Sequence, residues 1–221
     1  MNIQYQLVPE GHPNRPGTKL EAFKAIAFHY TANDAPAATD TMNAKYFARP
    51  YIQIGKDFFE KDGKTPFGYG SAQVVADSDS VTIAIPTNEA AWAVGDRRVL
   101  PWTEQWRGQQ KMSRNVFNCR PNYQSISIEI CNNDVVKNSN TDWLSAINNA
   151  VEWTIAFLLD SQLTIDVKGT LDPQNATPPS PRSIILCRHF DITGKICPKP
   201  FIDNVDEWNR VVHRIIKAVN V

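Results

Sequence analysis

The sequence predicts an α/β domain in which a single mixed central β-sheet is flanked by helices on both faces. Two patterns predict this class. Short apolar segments of strand length recur along the chain, and two longer segments repeat apolar residues at helical spacing. A chain of 221 residues also has the size of one domain with a sizeable core. We therefore expect residues 1–221 to form a single domain.

The predicted strands are short segments rich in Ile, Val and Ala, bounded by polar or turn-forming residues. They are Ala25–His29, Ala72–Ala76, Val81–Ile85, Ser125–Cys131 and Ile184–Arg188. Side chains alternate along a strand, so the Ile residues of 125–131 share one face, while Ser125, Ser127 and Glu129 share the other. The same alternation in the first strand places His29 beside small Ala residues. Small neighbours leave room above this face of the sheet, next to His29 and Glu129.

Helices are predicted over residues 36–48, beginning at Pro36, and over 142–160 and 204–219. The apolar residues of 142–160 fall on one stripe at spacings of three and four. In the last helix we expect an inward stripe and an N-terminal cap from Asp203. The inward residues are Val205, Trp208, Val212, Ile216 and Val219. The Pro-rich or polar segments 9–18, 95–122 and 168–183 are predicted to be loops.

Charge and hydropathy exclude two classes of partner. Lys and Arg total 23, as do Asp and Glu, so no net field favours nucleic acid. No apolar run reaches the roughly 18 residues of a membrane-spanning helix, so we predict no membrane insertion. The first residues lack the basic and apolar regions of a signal peptide, so we expect a cytoplasmic location on synthesis. In that compartment the four cysteines are expected to be buried thiols or metal ligands.

Two of the four histidines end predicted strands, where α/β folds place their sites. These are His29 and His189, whereas His12 is expected to be exposed in a loop and His213 to lie on the last helix. After His189 a Thr-Gly turn can bring Cys197 back toward the same point. Two imidazoles and one thiolate would hold zinc with a fourth position open for water. The spacing alone leaves open the alternative of a core histidine beside an inert buried cysteine.

Glu129 is a carboxylate inside an apolar strand, which is costly unless the group is paired, solvated or functional. A catalytic carboxylate beside His29 satisfies this condition. An ion pair with an arginine of the 97–122 loop satisfies it equally well, and the strand itself does not decide between them.

Four segments together resemble the type-2 N-acetylmuramoyl-alanine amidases, whose fold is shared with the peptidoglycan recognition proteins. They are Ala25–Asp34 (AIAFHYTAND), Ile85–Asp96 (IPTNEAAWAVGD), Ser125–Asn132 (SISIEICN) and Arg188–Phe201 (RHFDITGKICPKPF). The segments stand in the family's order and are spread over most of the chain. Four co-linear motifs are much more specific than any one of them.

The resemblance implies Zn²⁺ held by His29, His189 and Cys197, and catalytic roles for Glu129 and Lys195. It implies a peptidoglycan substrate, cut between the lactyl group of N-acetylmuramic acid and the L-alanine of the stem peptide. Glu129 would then act as the acid–base group and Lys195 would stabilise the oxyanion. Two alternatives are a non-catalytic peptidoglycan-binding protein of the same fold and a zinc peptidase acting on other short peptides.

The resemblance also favours a phage endolysin, which would need a partner such as a holin to reach the cell wall. We expect one catalytic domain without a separate cell-wall-binding module. Where many relatives carry histidine, this chain has Gln73 followed by Val74, and Trp92 followed by Ala93; we expect these positions to line the groove. Trp102 and Trp106 are expected to border the same groove, or alternatively to cover an edge of the core.

Overall fold

The computed structural model describes residues 1–21, 23–33, 35, 37–95, 100, 120–131, 141–173 and 182–220. The predictions for Pro36, Trp102 and Trp106 fall outside these residues, as do Arg97, Arg98, Arg107 and Arg114 of the 97–122 loop.

A seven-stranded mixed sheet forms the centre of the fold, in the order β1-β6-β5-β7-β2-β9-β8. Its strands are β1 (Asn2–Tyr5), β2 (Ala25–Tyr30), β5 (Val74–Ala76), β6 (Ser80–Ile83), β7 (Ser125–Ile130), β8 (Thr164–Ile165) and β9 (Ser183–Arg188). Only the pairing of β5 with β6 is antiparallel among these. A separate antiparallel hairpin consists of β3 (Ile52–Ile54) and β4 (Asp57–Phe59).

The helices are α1 (Asp40–Phe47), α2 (Thr141–Asp160), α3 (Val167–Leu171), α4 (His189–Thr193), α5 (Lys199–Asp203) and α6 (Val205–Val219). Among the described helices, none combines the length and the apolar character needed to span a bilayer.

The two faces of the sheet differ as the alternation of side chains predicts. Ile26 and Phe28 of β2 and the Ile residues of β7 are buried in one large apolar cluster with α2 and α6. The opposite face carries Ala25 and Ala27, which pack with Ile192 of α4 in a smaller cluster. Helix α1 covers β5 and β6 on that same side. The small residues of this face leave the space in which His29 and Glu129 lie.

Several predicted elements have different bounds or caps in the structure. The first helix begins at Asp40, where the Oγ1 of Thr39 accepts a hydrogen bond from the Met42 amide (3.3 Å). Helix α6 is capped by Asn204, whose Oδ1 accepts from the Glu207 amide, and not by Asp203. Val205 is 51% exposed, and the buried stripe instead includes Val211 and Ile215. The predicted loop 168–183 begins within α3.

Strands β1, β3, β4 and β8 were not predicted. Each has only two to four residues, and most of their side chains are exposed or half-buried, so none is the longer buried apolar segment by which the other strands were predicted. Pairing with neighbours distant in sequence makes them strands: Asn2–Tyr5, for example, runs parallel to Ser80–Ile83.

Candidate metal centre

His29 and Glu129 lie side by side on the central strands of the sheet. β2 and β7 run parallel, and His29 is the register partner of Glu129. Both side chains emerge near the carboxyl ends of their strands on the face that carries small residues. His29 is fully buried, and its Nδ1 lies 4.0 Å from Oε1 of Glu129.

His189 is delivered by the end of β9, which pairs with β2, and it is the first residue of α4. An ion pair holds this short helix in place. The Arg188 guanidinium donates to Asp191 (2.9 Å), and the Arg188 amide donates to the same carboxylate (2.8 Å). Arg188 also donates to the carbonyl of Phe201 in α5 (3.2 Å), so one side chain links the segments on both sides of Cys197.

The chain returns to the site after α4, as the Thr-Gly pair predicts. Gly194 ends the helix with a left-handed φ of 79°, a conformation that glycine adopts without steric cost. The Phe190 amide then donates to the carbonyl of Cys197 (2.8 Å), which fixes the position of the cysteine. The His29 and His189 rings lie with their centroids 4.7 Å apart, and Sγ of Cys197 lies 3.7 Å from Nδ1 of His29.

These three buried residues form a cluster that could hold a metal ion. One donor atom from each of His29, His189 and Cys197 lies within 4.8 Å of the other two. Among the described residues, Nε2 of His29 has no hydrogen-bond partner although it is buried. Burial, with smaller effects of His189 and Lys195, lowers the pKa of His29 well below its usual value, so its imidazole is neutral and has a free lone pair.

The electrostatics of Cys197 also fit a cation at this position. Burial, and to a lesser extent Glu129, raises the pKa of its thiol to about 12, so the group is protonated without a positive partner. A metal ion supplies such a partner and binds the thiolate. Two imidazoles and one thiolate are a donor set that suits zinc and leaves a coordination position for water.

Glu129 and Lys195 lie beside this cluster. The side chain of Glu129 is 20% exposed, and its Oε2 has no hydrogen-bond partner among the residues that the structure describes. Burial raises the pKa of Glu129 to about 8, and the positive charge of Lys195 opposes this rise. Lys195 is exposed and lines the same cleft. A carboxyl group that can hold or release a proton thus shares the cleft with a cation that lowers its pKa.

A cleft of about 470 Å³ opens above the cluster and contains all five residues singled out by the sequence. His29, His189, Cys197, Glu129 and Lys195 form its base and one side. Its other side is lined by residues from α1, from the segment before β5 and from the segment around Trp92.

Comparison with known proteins identifies the family. The sequence pattern described as N-acetylmuramoyl-L-alanine amidase matches residues 19–200. The chain belongs to this family. His29, Glu129, His189, Lys195 and Cys197 all lie within this matched range.

Named relatives and solved structures agree with this assignment. The N-acetylmuramoyl-L-alanine amidase BlyA of Bacillus subtilis (strain 168) is 27% identical over 210 residues, which are 92% of this chain and 45% of BlyA. The chain thus spans about half the length of BlyA. The structure of PlyL matches with a TM-score of 0.62 at 20% identity, covering 97% of each chain. A mutant endolysin from Bacillus subtilis matches with a TM-score of 0.58 at 21% identity, covering 96% of this chain and 99% of its own. These two likenesses establish the amidase fold.

The expected groove positions of this amidase domain are only partly in the cleft. Trp92 and Ala93 line it, as predicted. Gln73 does not: it is fully buried at the sheet, where Nε2 donates to the Glu89 carbonyl (2.8 Å) and Oε1 accepts from the Ser127 amide (2.8 Å). Val74 belongs to the core cluster on the opposite face. The prediction for Gln73 and Val74 was therefore wrong.

Sequence reasoning also missed that the N-terminal loop is buried and packs behind residues that line the cleft. His12, expected to be exposed, is only 6% exposed, and Asn14 is fully buried. His12 Nε2 donates to the Arg49 carbonyl (2.9 Å), while its Nδ1 accepts from the Asn14 amide (3.1 Å). The Pro and Gly residues of this segment indicated a loop, but gave no sign that the loop packs beneath another part of the protein.

Proposed function

We propose that this chain is a zinc-dependent N-acetylmuramoyl-L-alanine amidase. It would hydrolyse the amide bond between the lactyl group of N-acetylmuramic acid and the L-alanine of the stem peptide in peptidoglycan. The observation that supports this most directly is the buried His29–His189–Cys197 cluster beside Glu129 at the base of a cleft. Membership of the amidase family supports cleavage of the same amide bond.

His29, His189 and Cys197 would hold the Zn²⁺. The unpartnered Nε2 of His29 among the described groups and the donor set of two imidazoles and one thiol support this assignment. When bound, zinc lowers the pKa of a water molecule and polarises the carbonyl of the scissile amide.

Glu129 would act as the acid–base group. Its free Oε2 accepts a proton from the attacking water and later returns it to the amine of the leaving alanine. A carboxyl group with a raised pKa suits both directions of this transfer. Lys195, at the mouth of the site, would stabilise negative charge that develops on the carbonyl oxygen. The apolar β2–β7 surface beneath His29 and Glu129 holds both groups rigidly in register.

Digestion of purified peptidoglycan tests the proposal. We expect free L-alanine amino groups to appear while the glycan strands keep their length, and we expect a chelator to abolish the activity until zinc is returned. New amino groups from other residues would instead indicate a peptidase. Binding to peptidoglycan without release of any amine would indicate a non-catalytic binding protein.

An endolysin role is part of this proposal, with release to the cell wall through a holin after synthesis in the cytoplasm. The likeness in fold to a mutant endolysin from Bacillus subtilis supports it. Expression in the bacterial host with and without a co-expressed holin tests it, since lysis is expected only with the holin. Lysis from outside by protein secreted through intact membranes would contradict it.

A further inference from the structure

The cleft has two walls that differ in chemistry. The two walls lie over different strands of the sheet. β7, which carries Glu129, is in the middle of the sheet, with β2 and β9 on one side and β5 and β6 on the other. Lys195 and Cys197 follow β9 and build one wall. α1 and the segment before β5, which cover the other half of the sheet, build the second wall.

Three aromatic side chains dominate this second wall: Tyr46, Tyr69 and Trp92, here called the aromatic shelf. Tyr46 and Tyr69 are 60% and 57% exposed, so both rings are accessible to a ligand in the cleft. Tyr69 meets the edge of Trp92 at a centroid distance of 6.4 Å, and Phe67 behind it at 5.8 Å. Tyr69 and Trp92 therefore adjoin each other, and Tyr46 lines the same cleft.

The aromatic shelf is held rigidly from behind. The guanidinium of Arg49 lies over the rings of Tyr46 and Phe67, at 4.4 and 4.3 Å from their centroids. Glu60 and the carbonyl of Gly68 accept hydrogen bonds from the same guanidinium, so its charge is already satisfied.

The buried N-terminal loop anchors the other end of the shelf. Asn14 donates to the Phe47 carbonyl (2.9 Å) and accepts from the Gly70 amide (2.9 Å), next to Tyr46 and Tyr69 respectively. The indole of Trp92 donates to the Pro13 carbonyl (2.9 Å). Rings fixed in this way lose little conformational freedom when a ligand binds.

We propose that the aromatic shelf binds a pyranose ring of the glycan strand, while the stem peptide leaves the site along the wall of Lys195. This proposal rests on the proposed function, and it adds the direction in which the peptidoglycan substrate lies along the cleft. The CH face of a pyranose is apolar and uncharged, and it packs well on the face of an aromatic ring. The stem peptide carries carboxylates, and Lys195 is the cation that lines the cleft among the described residues.

Calorimetric titration with a peptide-free tetrasaccharide of alternating N-acetylglucosamine and N-acetylmuramic acid tests the shelf without relying on catalysis. Tyr69→Ala and Tyr46→Ala should each raise the Kd about fivefold, the range of an aromatic packing contact. Tyr69→Phe keeps the ring and should bind like wild type. Tyr5→Ala is the matched control, because Tyr5 is 74% exposed on the edge strand β1 and does not line the cleft.

Three results would overturn the shelf as a sugar site. The first is a wild-type protein that does not bind the tetrasaccharide. The second is a pair of Tyr69→Ala and Tyr46→Ala variants that bind it as tightly as wild type. The third is a loss of affinity in these variants for a sugar-free stem peptide instead. Failure of the proposed amidase function would look different: the tetrasaccharide would bind with the expected dependence on Tyr69, but intact peptidoglycan would release no alanine amines.

Discussion

Glu129 and Cys197 contact the same imidazole but are proposed to do different work. Oε1 of Glu129 lies 4.0 Å from Nδ1 of His29, and Sγ of Cys197 lies 3.7 Å from the same atom. A thiol in a cluster with two imidazoles suits metal binding, whereas a carboxyl with an unpartnered oxygen among the described groups suits proton transfer. Substitutions at the two positions should therefore separate metal content from reaction rate.

The Glu129→Gln variant should keep its zinc but hydrolyse peptidoglycan more slowly. The amide has the shape of the carboxyl but cannot accept the proton, so kcat should fall by about 10²–10⁴, the usual loss for a positioned acid–base group. KM should change less than kcat. Metal analysis and kinetics on peptidoglycan check both expectations. Full activity in this variant would leave Glu129 with a structural role only, and Tyr30 or Tyr69, which also line the cleft, would be the next candidates for the base.

Cys197→Ser should lose zinc and activity together, because a hydroxyl is a poor ligand compared with a thiolate. Cys187→Ala is the matched control: this cysteine is equally buried but lies within β9 and packs in the apolar cluster with Ala25 and Ala27. The control should keep about one zinc per chain, as a single three-ligand site requires. Metal analysis of both purified variants checks this, and a zinc-loaded Cys197→Ser protein would remove Cys197 from the site.

At the level of elements, the site depends on segments that are remote in sequence. The ion pair of Arg188 with Asp191 holds α4, and with it His189. Asn14 joins the N-terminal loop to the end of α1 and to the segment before β5. The Ser71 hydroxyl extends this connection, because it donates to the Asn14 carbonyl (2.7 Å) and accepts from the Trp92 amide (3.0 Å).

Asn14→Ala should lower stability and also raise KM. Removing a fully buried side chain with both partners left unpaired costs about 1–3 kcal/mol, and it loosens the wall that carries Tyr69 and Trp92. Asn220→Ala is the control, since Asn220 similarly bonds the amide and carbonyl of Ile165, away from the cleft. Thermal unfolding and kinetics distinguish them: the control should lose stability with KM unchanged. An unchanged KM in Asn14→Ala would limit Asn14 to a structural role.

At the scale of the whole molecule, a partly buried ion pair links the N-terminal loop to the segment after β6. Arg15 donates to both carboxylate oxygens of Glu89, at 2.8 and 3.0 Å. This hydrogen bonding lowers the pKa of Glu89 below its usual 4.5. When folding lowers the pKa of a carboxyl group, the charged group stabilises the folded protein at any pH above its pKa in the unfolded chain. This stabilisation is lost as the pH falls through the pKa of the group in the folded protein.

Glu89→Gln should therefore unfold at a lower temperature than wild type at pH 7. The difference should shrink as the pH falls from the usual 4.5 through the lower folded pKa of Glu89, where the wild-type carboxyl becomes protonated. Melting temperatures measured over this interval check the prediction. Glu21→Gln, which changes an exposed carboxyl, should stay close to wild type at pH 7. A constant difference between Glu89→Gln and wild type at all pH values would contradict the assignment.

The sequence by itself determined the strands and helices whose apolar residues recur at a short, regular spacing. Alternation of side chains with period two placed His29 and Glu129 each on the face of its own strand that carries small residues, and helical spacing located α2 and α6 within one residue at each end. The motif order also indicated His189, Cys197 and Lys195, and the structure brings all five residues to one cleft. These features depend on local geometry, which neighbouring residues specify.

Only the tertiary structure decided the contacts between segments far apart in the chain. Burial of His12 depends on Arg49, and burial of Gln73 on Glu89 and Ser127. The aromatic shelf likewise joins Tyr46, Tyr69 and Trp92 from three segments. No local pattern marks such residues, because a buried polar side chain is satisfied by whichever backbone group the fold brings to it.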